Sequence, residues 1–214
     1  MSAVQGAGRR PKRARRPEVD GSTLRWPGAA NRFALFGEVL WVGILVVACS
    51  LPIVTLPAAL AAGIRHLHRF LAAEASGVRL FLGDVRRGLP GGVAVGAAAV
   101  VLAAVLWLDV RLAASGALPG GPVVGAVGAL GLVALAVALL LAASAWTPER
   151  GWRPALRSVP ARFAGDPVGA LYLVVALGLA AVVTWQLPPL VVPGVGCLVF
   201  AVVATGERER RTRR

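Results

Sequence analysis

Two stretches of the chain, Leu112 to Pro148 and Pro167 to Gly206, contain no Asp, Glu, Lys or Arg. Nothing else in the sequence constrains the fold as strongly. Apolar runs of about 18 residues or more without charge read as transmembrane helices. A water-soluble chain of 214 residues could not hide so much apolar surface. Of its residues 57% are hydrophobic and 15% charged, where soluble domains carry about 45–50% and about 25%. The expected class is an all-α polytopic membrane protein.

Six apolar spans can be drawn: Phe33–Ser50, Thr55–Phe70, Gly91–Leu108, Val123–Trp146, Pro167–Gln186 and Pro189–Thr205. The first two are separated only by "SLPIVTLP", and proline inside a helix deletes a hydrogen bond and clashes with the preceding turn. If residues 33–70 crossed once, 9 of the 23 Lys and Arg would lie on one side and 14 on the other. If the chain turns at the prolines and crosses back, 22 lie together and only Arg111 lies opposite. Cytoplasmic loops carry the Lys/Arg excess, so the split predicts a helical hairpin and both termini in the cytoplasm. Pro52, Thr55 and Pro57 mark its tip. Thr55 is expected to N-cap the returning helix, with Pro57 in its first turn, where the missing donor costs nothing. Trp107, Trp146 and Trp185 close spans, and Trp26 and Trp152 lie just outside them, as an interfacial belt would. Only Trp41 falls deep in a span.

The domain organisation follows. Residues 1–32 form a disordered basic cytoplasmic tail, 33–206 the membrane domain and 207–214 a basic cytoplasmic C-terminal tail. The net charge of +13 is placed in the gaps between spans, which favours topology and anionic lipid over nucleic acid. "RRPKRARR" reads the same way, and no nucleic-acid partner is expected. "VVAC", ending at Cys49, fits a lipoprotein cleavage box. The long tail and Glu38 inside the apolar run argue against cleavage. No twin-arginine signal is expected at Arg9 and Arg10, since Pro and Lys follow them.

No nucleophile stands with a base and an orienting group. There is no phosphate loop, and no catalytic residue, metal or cofactor is expected. His66 and His68 lack the i,i+4 spacing of helical metal pairs, and Cys49 and Cys197 read as small core residues. Gly-x-x-x-Gly at 92/96, 121/125 and 165/169 suits close helix packing within the chain.

Glu38 is the one acid clearly inside a span, and such residues normally pair. It lies about 16 residues before the hairpin tip and Arg69 about 15 after it, so at 1.5 Å per residue they reach similar depth. Arg65 is one turn nearer the tip, on the Arg69 face. The expectation is an ion pair of Glu38 with Arg69, or with Arg65, closing the hairpin. The two basic loops carry matched apolar stripes. Val78, Leu82, Val85 and Leu89 recur as Trp152, Leu156, Val159 and Phe163 at the same offsets. Both predict amphipathic helices on the inner membrane face, stripe toward bilayer or span ends, arginines toward anionic lipid headgroups. Each lies between a span entering the cytoplasm and one leaving it, which suggests a parallel duplication.

The stretch Phe33–Phe70 resembles the YesL-like family of bacterial membrane proteins. Their early signature stands here as Leu51-Pro52-Ile53-Val54-Thr55-Leu56-Pro57-Ala58. "FGEVLWVGILVVAC" precedes it and "ALAAGIRHLHRF" follows, as in the family. Many members have Gly at the place of Leu56, and the long basic tail is outside the pattern. The resemblance implies a multi-pass protein of the bacterial inner membrane, with an accessory or scaffold role and transporter subunits of carbohydrate uptake systems as candidate partners. It brings no catalytic residues. The alternative is a small-solute transporter or channel, which should gather polar groups near the midplane.

Overall fold

The computed structural model describes Gly28, residues 32–116 and residues 120–212. The expected disordered tail, apart from Gly28 and Arg32, and Trp26 lie outside the described residues. All regular structure described is helical: α1 (Arg32–Cys49), α2 (Leu56–Leu71), α3 (Val78–Ala114), α4 (Gly121–Ala145), α5 (Trp152–Gly165), α6 (Pro167–Gln186) and α7 (Val191–Thr212). Short 3-10 turns cover Ile53–Thr55 and Pro188–Leu190. α7 runs on through the charged residues assigned to the C-terminal tail.

Among the described residues, five helices are long and apolar enough to cross a membrane: α1, α3, α4, α6 and the segment Pro188–Gly206 that includes most of α7. The expected second span is not one of them. α2 has 16 residues, a rise of about 24 Å against a hydrocarbon core of about 30 Å. It is instead the most enclosed element, packed by α1, α3, α4 and α7. Its sequence explains this. Ala58, Ala59, Ala61, Ala62 and Gly63 are all buried, and small residues let neighbouring helices approach closely. Gly63 is the contact point for Val42 and Val46 of α1 and Val199 of α7.

The hairpin tip differs from the expectation in one respect. The residue before α2, Thr55, has helical torsions (φ −87, ψ −7) and its side chain caps no amide. Its hydroxyl is instead placed to donate backwards, to the carbonyls of Cys49 (2.6 Å) and Pro52 (2.7 Å). Carbonyls at a helix C-terminus lack intrahelical partners, so Thr55 closes the end of α1 rather than the start of α2. Pro57 lies in the first turn of α2 and is buried, while Pro52 is exposed. The tip packs on α3 at Gly96, where any side chain would overlap the Val54 carbonyl.

α3 breaks at Pro90 (φ −61, ψ 117) and Gly91 (φ 82, ψ −33). Positive φ costs glycine little, and proline cannot continue the ladder. The break separates an amphipathic segment from one apolar enough to cross a membrane. α5 stands in the same relation to α4 and α6: each amphipathic helix begins seven residues after the preceding helix ends, at Val78 after Leu71 and at Trp152 after Ala145.

The sides these two helices bury take in part of each expected stripe. In the first, Phe81, Asp84, Val85 and Gly88 face inward. Leu89 is partly buried, while Val78 and Leu82 are 38% and 46% exposed. In the second, Trp152 and Ala155 are buried and Val159 partly so, while Leu156 and Phe163 are 40% and 53% exposed. On the inward faces Asp84 meets the basic residues of α2 and Trp152 meets the α3 break. Trp152 Nε1 donates to the Gly88 carbonyl at 2.8 Å, and its indole stacks on Trp146 with centroids 5.9 Å apart. Both indoles are therefore interior, not part of a belt, whereas Trp107 and Trp185 face outward.

Candidate functional site

The polar interior is built by α1, α2 and the first part of α3. Arg65 and Arg69, at i and i+4, share a face of α2, and His66 points from the neighbouring face toward α1. Asp84 approaches from α3, in the inward row with Phe81 and Gly88. The structure gives these groups partners different from those expected. Glu38 does not pair with Arg69 or Arg65; its Oε1 lies 2.7 Å from His66 Nε2. Both arginines go to Asp84, whose Oδ2 accepts from Arg65 Nε at 3.3 Å and from Arg69 Nη2. The reason is that two arginines compete for carboxylates, and Asp84 is the more enclosed. Its side chain is 3% exposed against 20% for Glu38, and a buried carboxylate without counter-charges is very costly.

His66 is 1% exposed. With Glu38 ionised, the carboxylate accepts and Nε2 donates. Phe81 meets the imidazole edge-on, centroids 6.1 Å apart at 84°. Nδ1 of His66 and Nη1 of Arg69 are buried and make no hydrogen bond. One carboxylate therefore holds two guanidiniums, and one buried imidazole is held by one carboxylate. The arrangement ties α1 and α3 to the central helix and leaves local positive charge. Outside the membrane-spanning segments, the exposed Glu149 carboxyl is held below the usual carboxylate range. The causes are first a backbone hydrogen bond at Glu149, then the Thr147 side chain, with smaller attraction from Arg65 and Arg87.

Further polar residues lie where α4, α5, α6 and α7 meet. Arg162 Nη1 donates to Ser144 Oγ at 3.4 Å, and Asp166 Oδ1 accepts from the Gly169 amide at 2.8 Å, capping α6. The cleft here, which also touches Thr205, measures about 30 Å³. Two larger clefts flank the α3–α4 pair, of about 200 Å³ and about 400 Å³. Apart from Gly96 and Pro57, only Ala, Val, Leu and Ile line them. Among the described residues, no three His, Cys, Asp or Glu come together as a metal site would need.

Sequence reasoning missed His66 and Asp84 as partners. The signal for Asp84 was present: it lies three residues after Phe81 and four before Gly88, on the core side of its helix. Gly43 and Gly196 were missed too. Each abuts a carbonyl of the other's helix, Val192 and Val39, so that neither tolerates a Cβ. Of the expected Gly-x-x-x-Gly pairs, 92/96 packs on Ala58, Trp152 and Val54, and 121/125 on Ala113, all within the chain. Comparison with protein-family models, curated proteins and solved structures gives no match for this chain.

Proposed function

We propose that the chain is an accessory or scaffold protein of the bacterial cell membrane, threaded six times with both termini inside. α2 is the returning arm of the α1–α2 hairpin, and the amphipathic parts of α3 and α5 lie at the cytoplasmic face. The placement of 22 of 23 basic residues supports the topology,. The Leu51–Ala58 resemblance supports the accessory role and points to subunits of carbohydrate uptake systems as partners. One observation carries the preference over a carrier. The charged groups of α1, α2 and α3 are tied to one another, and the cleft beside Ser144, Arg162 and Asp166 measures only about 30 Å³, while solute sites occupy about 300–1,000 Å³. The larger clefts are apolar.

The test is cross-linking and affinity capture from native membranes. Transporter subunits are expected in constant ratio to the tagged protein, and to be lost when Arg79, Arg86, Arg153 and Arg157 are replaced by Gln with folding intact. The same background proteins from wild type, variant and an unrelated membrane protein would refute it. A second reading, a small-solute transporter, is favoured by His66, buried in the membrane domain with Nδ1 unbonded, since intramembrane ionisable groups mark transport paths. Solute counterflow in reconstituted vesicles, abolished by His66→Phe, would establish it.

A further inference from the structure

We propose that the larger cleft beside α3 and α4 binds one anionic phospholipid, with an acyl chain in the cleft and the phosphate at Arg153 and Arg157. The cleft measures about 400 Å³ and is bounded by α3 between Ala94 and Leu102, α4 between Leu135 and Leu139, and Leu156 of α5. Its origin is in the packing. At one end of the pair, the buried indoles of Trp146 and Trp152 fill the space beside Gly88 and Gly92 and hold the helices apart. Toward the other end, Gly128 and Gly131 draw α4 onto Val110 and Leu106. Between them the facing side chains Ala94, Ala98 and Ala138 are too short to fill the gap.

The charge on α5, the helix that borders the cleft through Leu156, selects the occupant. α5 carries Arg153, Arg157 and Arg162 and no acid. Arg162 is turned to Ser144. Arg153 and Arg157 are exposed, one turn apart, and flank Leu156, the residue that borders the cleft. Guanidiniums bind phosphate bidentately. A hydrocarbon chain beside an anion is the chemistry of a phospholipid, and a helix of a partner protein would not supply it. The smaller cleft, bordered by Ile53, Leu56 and Pro57, has no basic residue in the adjoining segment 51–64 and supplies a control. The inference rests on α5 lying at the membrane face, not on the accessory role.

The experiment is native mass spectrometry of the purified full-length protein in detergent, titrated with phosphatidylglycerol or phosphatidylcholine of identical chains. One phosphatidylglycerol is expected to bind about 25-fold more tightly than phosphatidylcholine, about fivefold for each arginine near the surface. Arg153→Gln with Arg157→Gln removes that preference and leaves weak binding of both lipids. Ala138→Phe fills the cleft and removes the bound lipid altogether, and Ala94→Leu does the same if that variant does not fold. Ala103→Phe, in the smaller cleft, leaves binding unchanged. Equal retention of the two lipids, indifference to the arginines, or indifference to cleft filling would each overturn the proposal. So would a dimer that Ala138→Phe dissociates, since a second copy would then occupy the cleft.

Discussion

Replacing Asp84 by Asn changes the polar interior with the least change of shape. Asp84 is 2% exposed, so little water can take over its role. Its Oδ2 accepts from Arg65 and Arg69. Asparagine keeps one carbonyl acceptor, loses the charge and sets an amide donor against guanidinium donors. A hydrogen bond to a charged group contributes about 1.5–3 kcal/mol, and breaking a buried ion pair costs about 3–5 kcal/mol. The arginine side chains are 30% and 18% exposed, so water recovers part of their loss. The cost then falls near the low end, about 2–3 kcal/mol. For a chain of this length 1 kcal/mol moves the thermal midpoint by about 2–4 °C, so D84N in detergent should unfold roughly 4–12 °C below wild type. The assay is size-exclusion chromatography after heating, read by tryptophan fluorescence. Exchanging the partners, D84R with R69D, should recover part of the loss, and E38R with R69E should not. An unchanged midpoint for D84N, or better rescue by the second exchange, would refute the assigned pairing.

Other consequences can be measured alongside. Gly43→Ala places a methyl group on the Val192 carbonyl and should cost about 1–3 kcal/mol, the usual penalty of overpacking; Gly37→Ala, in open space, should be neutral or slightly stabilising in the same melting assay. Trp152→Phe removes the indole donor from the Gly88 carbonyl at about 1–3 kcal/mol for a buried acceptor left unpaired. Hydrogen exchange at residues 88–92 should rise with it, and unchanged exchange would show that the indole does not hold the α3 break. For topology, with Cys49 and Cys197 replaced, single cysteines at Ser115 and Gln186 should react with an impermeant thiol reagent outside intact cells, and ones at Ser76 and Ser158 should not. Labelling at Ser158 would overturn the six-span threading.

The all-helical class, the helices long and apolar enough to cross a membrane and the turn between α1 and α2 were legible in the sequence because they rest on local properties. Apolar runs without charge have no stable place in water, and proline and glycine act on the backbone wherever they stand. Pro52 and Pro57 thus announce the turn. What the local reading did not give is the place of α2 in the bundle, since an apolar run ending in "IRHLHRF" scans alike at the rim or at the centre; only the packing of α1, α3, α4 and α7 around it put it at the centre. Which charge meets which was likewise beyond the sequence. Depth along the hairpin matched Glu38 with Arg69, but depth fixes one coordinate only, and rotation about each helix axis supplies the rest. That rotation put His66 on Glu38, turned Asp84 inward to both arginines and drew Trp152 under α3. It is set by how closely helices distant in sequence approach, at small residues such as Gly43, Gly63 and Gly196, and by the requirement that buried charges be paired.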